Sequence, residues 1–120
     1  MRMWMVSPKI MCVKHLNGEH LEIHMFLGTL KDKKSIKGYI EKNLCQPRSF
    51  KQRHDDIVSE MKARDYKGHK TPIELSDCSC VYDLPLEQQY WEVNTIKSLQ
   101  DLISRCPECR KRYESLKNLR

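Results

Sequence analysis

Apolar residues recur at helical spacing in three stretches of this chain. From Lys9 to about Thr29, the residues Cys12, Leu16, Ile23, Phe26, Leu27 and Leu30 fall on one stripe, the signature of an amphipathic helix. Gly18 inside that stretch costs about 1 kcal/mol of helix propensity relative to Ala and suits close approach of another backbone. Phe50, His54, Ile57, Val58 and Met61 form the inner face of a second helix, from about Arg48 to Asp65. Asn94 reads as the N-cap of a third, with Ile96, Leu99, Leu102 and Ile103 as its stripe; Cys106-Pro107-Glu108-Cys109 interrupts or kinks it before a basic tail. Residues 1–7 read as an extended lead, and Pro8 suits a first helical turn. The segment 31–46 reads as a basic loop with one short irregular element, and 66–93 as a long connection with a helical turn near Leu86–Trp91. No strand pair is legible. The expected fold is all-α: one compact domain, 1–120, of three main helices with long loops.

Composition sharpens this picture. A chain of 120 residues with 39% apolar and 32% charged positions has a thin core and a large polar surface. A net charge of +6 favours polyanions, nucleic acid before acidic lipid. No stretch approaches the roughly 18–20 apolar residues of a spanning helix, and the start lacks the apolar core of a signal peptide. A cytoplasmic protein without membrane contact is expected, its six cysteines reduced, so metal or packing roles outrank disulfides.

On the first helix His15, Glu19 and Glu22 share a narrow stripe bordering the apolar face. A half-buried carboxylate there suits a tuned acid or base, although charges flank any amphipathic helix. Cys106-x-x-Cys109 has metal-ligand spacing, and Cys78-x-Cys80 would complete a Cys₄ zinc site. That Cys-rich element, formed by 78–80 and 106–109, would pin the long connection to the end of the third helix. Cys12 and Cys45 read as inert thiols. His20 and His24, four apart, read as surface or core residues; His54 faces the first helix, and His69 lies in a loop. Trp4 is either a wedge beside Met1 and Arg2 or a core residue. Two basic clusters can track phosphates or form solvated faces: Lys31, Lys33, Lys34, Lys37, Arg48, Lys51 and Arg53, then Arg110, Lys111, Arg112, Lys117 and Arg120.

The opening Met1-Arg2 and the run His15-Leu16-Asn17-Gly18-Glu19-His20-Leu21-Glu22-Ile23 resemble the start of the pyrimidine-dimer DNA glycosylase/AP-lyase family, the phage endonuclease V type. The segment from Gln52 to Arg64 resembles that family's second helix, with Tyr66-Lys67 near its exit. The likeness is dense over roughly the first 75 residues. It implies that the α-amine of Met1 attacks C1′ of a damaged nucleotide and forms a Schiff base, with Glu22 as the catalytic glutamate. Bulky Arg2 would keep Met1 from removal by an aminopeptidase. The resemblance also implies that Arg2 contacts DNA, with His15 and Glu19 in support. The expected DNA-binding set is Arg2, Trp4, His15, Glu19, Lys33, Lys34, Arg48, Lys51 and Arg53. Leu21 and Met25 stand where the phage enzyme carries arginines, and its aromatic C-terminal tail has no counterpart here. The implied protein is a monomer acting on lesion-containing or abasic duplex DNA in a bacterial or phage-infected cell. It needs no catalytic cofactor, and zinc would be structural. The alternatives are a non-catalytic DNA-binding module on the same scaffold and a zinc-stabilised interaction protein.

Overall fold

In a computed structural model that describes residues 1–68 and 71–118, the chain folds as helices alone, with no strand among the described residues. His69 and Arg120 lie outside them. Helix α1 spans Val13–Lys31, α2 Lys37–Glu41, α3 Phe50–Ala63, α4 Leu86–Gln89, α5 Thr95–Arg105 and α6 Pro107–Lys117. Short 3-10 segments cover Pro8–Ile10, Pro47–Ser49 and Leu75–Asp83. The expected first helix is thus split. Met11 and Cys12 are extended, at ψ 137° and 163°, and α1 starts afresh at Val13 with Cys12 as its N-cap. The expected basic tail is a correction too. Pro107 sits at the first turn of a true helix, where its missing N–H costs nothing, and Tyr113 and Leu116 pack against the core. Asn94 caps α5 as expected, accepting from the Lys97 N–H at 3.1 Å.

The core lies between α1 and α3. Leu16, Ile23, Phe26, Leu27 and Leu30 of α1 meet Phe50, Ile57 and Met61 of α3, with Phe26 and Phe50 stacked at 5.8 Å. Each buried side chain of this size contributes about 1.5–3 kcal/mol. Helix α6 packs on α5 and closes against Pro8–Ile10, tying the C-terminal part of the chain to its start. The radius of gyration, 14.5 Å, is close to the roughly 14 Å of one compact domain of this length.

The N-terminal segment runs through this core. The Met3 N–H donates to the Leu44 carbonyl at 2.7 Å, and the Trp4 carbonyl accepts from Ser98. Met3 and Trp4 are buried. Beneath them lies an ion pair with almost no solvent contact, Glu19 of α1 with Arg53 of α3. Arg53 donates to both carboxylate oxygens of Glu19 and to the Val6 carbonyl, while Glu19 also accepts the Trp4 N–H at 3.0 Å. Removing one partner of such a pair leaves an uncompensated buried charge, typically a loss of about 3–5 kcal/mol. Arg53→Met should therefore lower the unfolding free energy by about that amount in urea titrations; a loss below about 1 kcal/mol would show that the pair carries no structural load.

Candidate active site

Because residues 3–6 are anchored from both sides, the free amine of Met1 is held rather than loose. It lies 3.9 Å from the Glu22 carboxylate, with the two side chains 14% and 29% exposed. The Arg2 backbone N–H also donates to Glu22. Met1, Arg2, Trp4, Lys14, His15, Gly18, Glu19, Glu22, Leu44 and Arg105 line an open cleft of about 500 Å³. Gly18 forms part of its wall, with nothing within 4 Å of where a Cβ would stand. It therefore leaves room in the cleft and does not serve the backbone packing expected of it.

Two carboxylates three residues apart on α1 have different surroundings. Glu19 accepts three hydrogen bonds, two from Arg53 and one from the Trp4 N–H. Glu22 is half-buried, and its carboxyl is held above the ordinary 4.5: burial raises it, and Glu19 adds to the rise, outweighing the N-terminal amine, the Arg2 N–H and the Arg2 charge. His15 is lowered, chiefly by burial and then by Lys14, which favours the neutral imidazole. The arrangement thus pairs an amine with a proton acceptor of raised basicity at the wall of a solvent-filled cleft.

The expected DNA-binding residues separate into distinct settings. Arg2 lies over the Trp4 ring at 3.7 Å and pairs with Asp101 at 2.7 Å. Trp4 is only 7% exposed and meets His15 edge-on, so it is a core residue at the cleft and not a protruding wedge. Glu19 and Arg53, expected at the DNA surface, are 1% and 4% exposed and committed to each other; burial takes both out of reach of phosphate. Lys51 is held by Asp55 and the Ile73 carbonyl. Lys33 and Lys34 are exposed, and exposed Arg48 lies over Tyr90 at 4.6 Å and Tyr82 at 5.2 Å. The sequence reading put Lys42 in the basic 31–46 loop without a binding role and did not single out Lys97. They line a neighbouring cleft of about 640 Å³ that shares Arg2, Leu44 and Arg105 with the first. Single lysines in a loop and on a helix carry no sequence signal that would bring them together.

The cysteines group differently from expectation. Among the described residues Cys106 and Cys109 are joined by Cys12 and His15, not by Cys78 and Cys80. Cys78 and Cys80 sit in the Leu75–Asp83 segment near Lys31, with thiols raised chiefly by burial. Cys12, expected to be inert, has its sulfur 3.2 Å from His15 Nδ1. Its signal was present in the sequence as Cys12-x-x-His15, a second pair with metal-ligand spacing. The histidines of α1 and α3 form another group, His20, His24 and His54. There the Nε2 atoms of His24 and His54 stand 3.1 and 2.7 Å from the Thr71 carbonyl. A carbonyl only accepts, so each ring donates and together they hold the 66–93 connection against the helix pair.

The raised Glu22 carboxyl has a consequence for stability. A group whose folded pKa is raised favours folding below its unfolded value and loses that advantage as pH rises through the folded value. Above that window the charged carboxylate is a net cost, which an uncharged glutamine lacks. Glu22→Gln should therefore melt above the wild type at pH 8, with the difference shrinking as pH falls toward the ordinary 4.5. A variant that melts lower at pH 8 and converges on the wild type in acid would mean that the amine contact dominates.

No curated protein and no solved structure shows significant similarity to the chain. The sequence profile of the pyrimidine dimer DNA glycosylase family matches residues 1–74. The matched region holds Met1, Arg2, Glu19, Glu22 and Arg53, and ends before α5 and α6. It covers more than half of the 120 residues, and the chain belongs to the pyrimidine dimer DNA glycosylase family.

Proposed function

We propose that the chain is a monomeric DNA glycosylase with AP-lyase activity that works through a Schiff base on the Met1 α-amine. The observation that carries this reading is the amine, 3.9 Å from Glu22 and opening into the cleft. An α-amine titrates near 8 against about 10.4 for Lys, so near neutral pH its free-base fraction is a few hundred-fold larger. The amine nitrogen attacks C1′ of the damaged nucleotide and the base departs with the glycosidic electron pair. Cleavage of the C1′–O4′ bond then opens the ring, a proton passes from the amine nitrogen to O4′, the released base takes its proton from water, and a protonated imine remains; Glu22 stabilises the sugar cation that develops on the way. Glu22 next removes the C2′ proton, and the 3′ phosphate leaves in β-elimination. Its raised pKa suits the second role. A target base must leave the stack, at a cost of a few kcal/mol, and the cleft offers a place for it.

Borohydride trapping on an abasic duplex, with a native untagged N-terminus, tests the mechanism. A covalent adduct should form and should vanish when the amine is acetylated. Glu22→Gln should cut turnover by about 10²–10⁴-fold, the range for loss of a general acid–base group, with DNA affinity kept. Salt-dependent binding without any adduct would leave a non-catalytic module on the same scaffold.

The second cleft supplies a path for the backbone. Lys42, Lys97 and Arg105 line it together with Leu44. Each lysine that neutralises a phosphate contributes about 0.9 to the slope of log affinity against log salt. The double variant Lys42→Ala/Lys97→Ala should weaken binding to damaged and undamaged duplex alike and flatten the slope by about two. An unchanged slope would place the DNA elsewhere.

A further inference from the structure

We propose that Cys12, His15, Cys106 and Cys109 bind one zinc ion, which fastens the α5–α6 pair to the start of α1. The inference stands apart from the Schiff-base reading, because it concerns how the cleft is built and not what reacts in it.

The four ligand atoms all lie within 4.8 Å of one another. Cys12 Sγ is 3.8 Å from Cys106 Sγ and 3.2 Å from His15 Nδ1, and Cys109 Sγ is 3.7 Å from His15 Nδ1. A tetrahedral zinc with Zn–S of about 2.3 Å and Zn–N of about 2.0–2.1 Å has S···S edges near 3.8 Å and S···N edges near 3.6 Å. The observed separations scatter about those values. Three sulfurs and an imidazole nitrogen are also a closed structural donor set, with no position left for water.

The backbone supports the same reading. Cys12 is the N-cap of α1 and His15 its third residue; Cys106 is the N-cap of α6 and Cys109 its third residue. Both ligand pairs therefore sit on first turns, where the helix dipole favours negative charge. Two N–H groups point at sulfur: Cys12 N–H to Cys109 Sγ at 3.2 Å, and Cys109 N–H to Cys106 Sγ at 3.4 Å. Such donors offset the charge of three thiolates around a divalent cation. Each pair starts at the N-cap position of one helix and lies against the other pair, so a shared ion closes a loop between residues 12 and 109.

The site adjoins the cleft. His15 is a proposed ligand and lines the cleft, and Arg105, beside Cys106, forms part of the same wall. The ion would hold that wall in place.

The intact chain, purified without chelator, should carry one zinc per polypeptide. Cobalt exchanged into it should show the ligand-field bands of a tetrahedral ion and thiolate charge transfer for three sulfurs. Stripping the metal should lower the melting temperature by about 10 °C or more, since binding only the folded state stabilises it. The double variant Cys78→Ser/Cys80→Ser should keep the full metal content, whereas Cys12→Ser and Cys109→Ser should each lose the cobalt charge-transfer signature of the wild type. The wild-type measurement does not depend on any variant folding. Zinc-free wild-type protein that gives no tetrahedral cobalt spectrum overturns the proposal. So does a disulfide among Cys12, Cys106 and Cys109 in place of metal, or loss of metal in the Cys78/Cys80 variant.

Discussion

The buried pair of Glu19 and Arg53 sets the geometry on which the rest of the molecule relies. It is the point where α1, α3 and the N-terminal segment meet: Arg53 holds the Val6 carbonyl, and Glu19 holds the Trp4 N–H. Between these anchors Met5 adopts a left-handed backbone, φ 55°, a conformation that costs a non-glycine residue about 1–2 kcal/mol. It persists because both neighbours are fixed by charged partners. A hydrophobic contact could stabilise the segment as well, but it would not specify its register. The directional bonds of a carboxylate and a guanidinium do.

That register turns a chain terminus into a chemical group. Ends of chains ordinarily fray. Here Met3 is fully buried, its N–H bonded to Leu44, and Ser98 of α5 holds the Trp4 carbonyl. The amine is left two residues beyond the fully buried Met3, within reach of Glu22. The partners of the N-terminal segment come from α1, α3, α5 and the loop after α2. The family's matched region therefore carries the proposed reactive groups, while helices beyond it, α5 above all, help to hold them in place.

The helices were legible where one apolar stripe met one core. Helices α1 and α3 each present such a stripe; of the four residues expected on α5 only Leu99 and Leu102 pack on the core while Ile96 is exposed, although Asn94 announced where that helix starts. Helix α6 has a stripe as well, Cys109, Tyr113 and Leu116 at i, i+4 and i+7, but Pro107 and four basic residues made the segment read as a tail. The 3-10 stretch Leu75–Asp83 has no period that a helix or strand reading could catch. Site chemistry divided in the same way. The stripe of His15, Glu19 and Glu22 follows from local helical geometry, and the cleft uses all three. The fate of Arg53 does not: its partner is 34 positions away, and a cationic residue next to other charges reads as surface. The cysteine grouping failed for a related reason. Counting Cys12 into the apolar stripe concealed that it lies just before α1, at its N-cap position.

Glu19 and Glu22 show how one helix divides structure from chemistry. Charge compensation by Arg53 and a backbone N–H makes Glu19 an anchor, committed to three hydrogen bonds. Glu22 is buried enough to be raised, yet its partners are an amine and an N–H that only partly offset that burial. The residual cost is what makes its carboxylate more basic, and basicity is what proton removal near neutral pH requires. Moving a compensating arginine beside Glu22 would stabilise the fold and lower its pKa, blunting the group. Keeping the strong cation at Glu19 and the weaker amine at Glu22 lets α1 be rigid at one position and more basic one turn later, with the rigidity of the first holding the second in place.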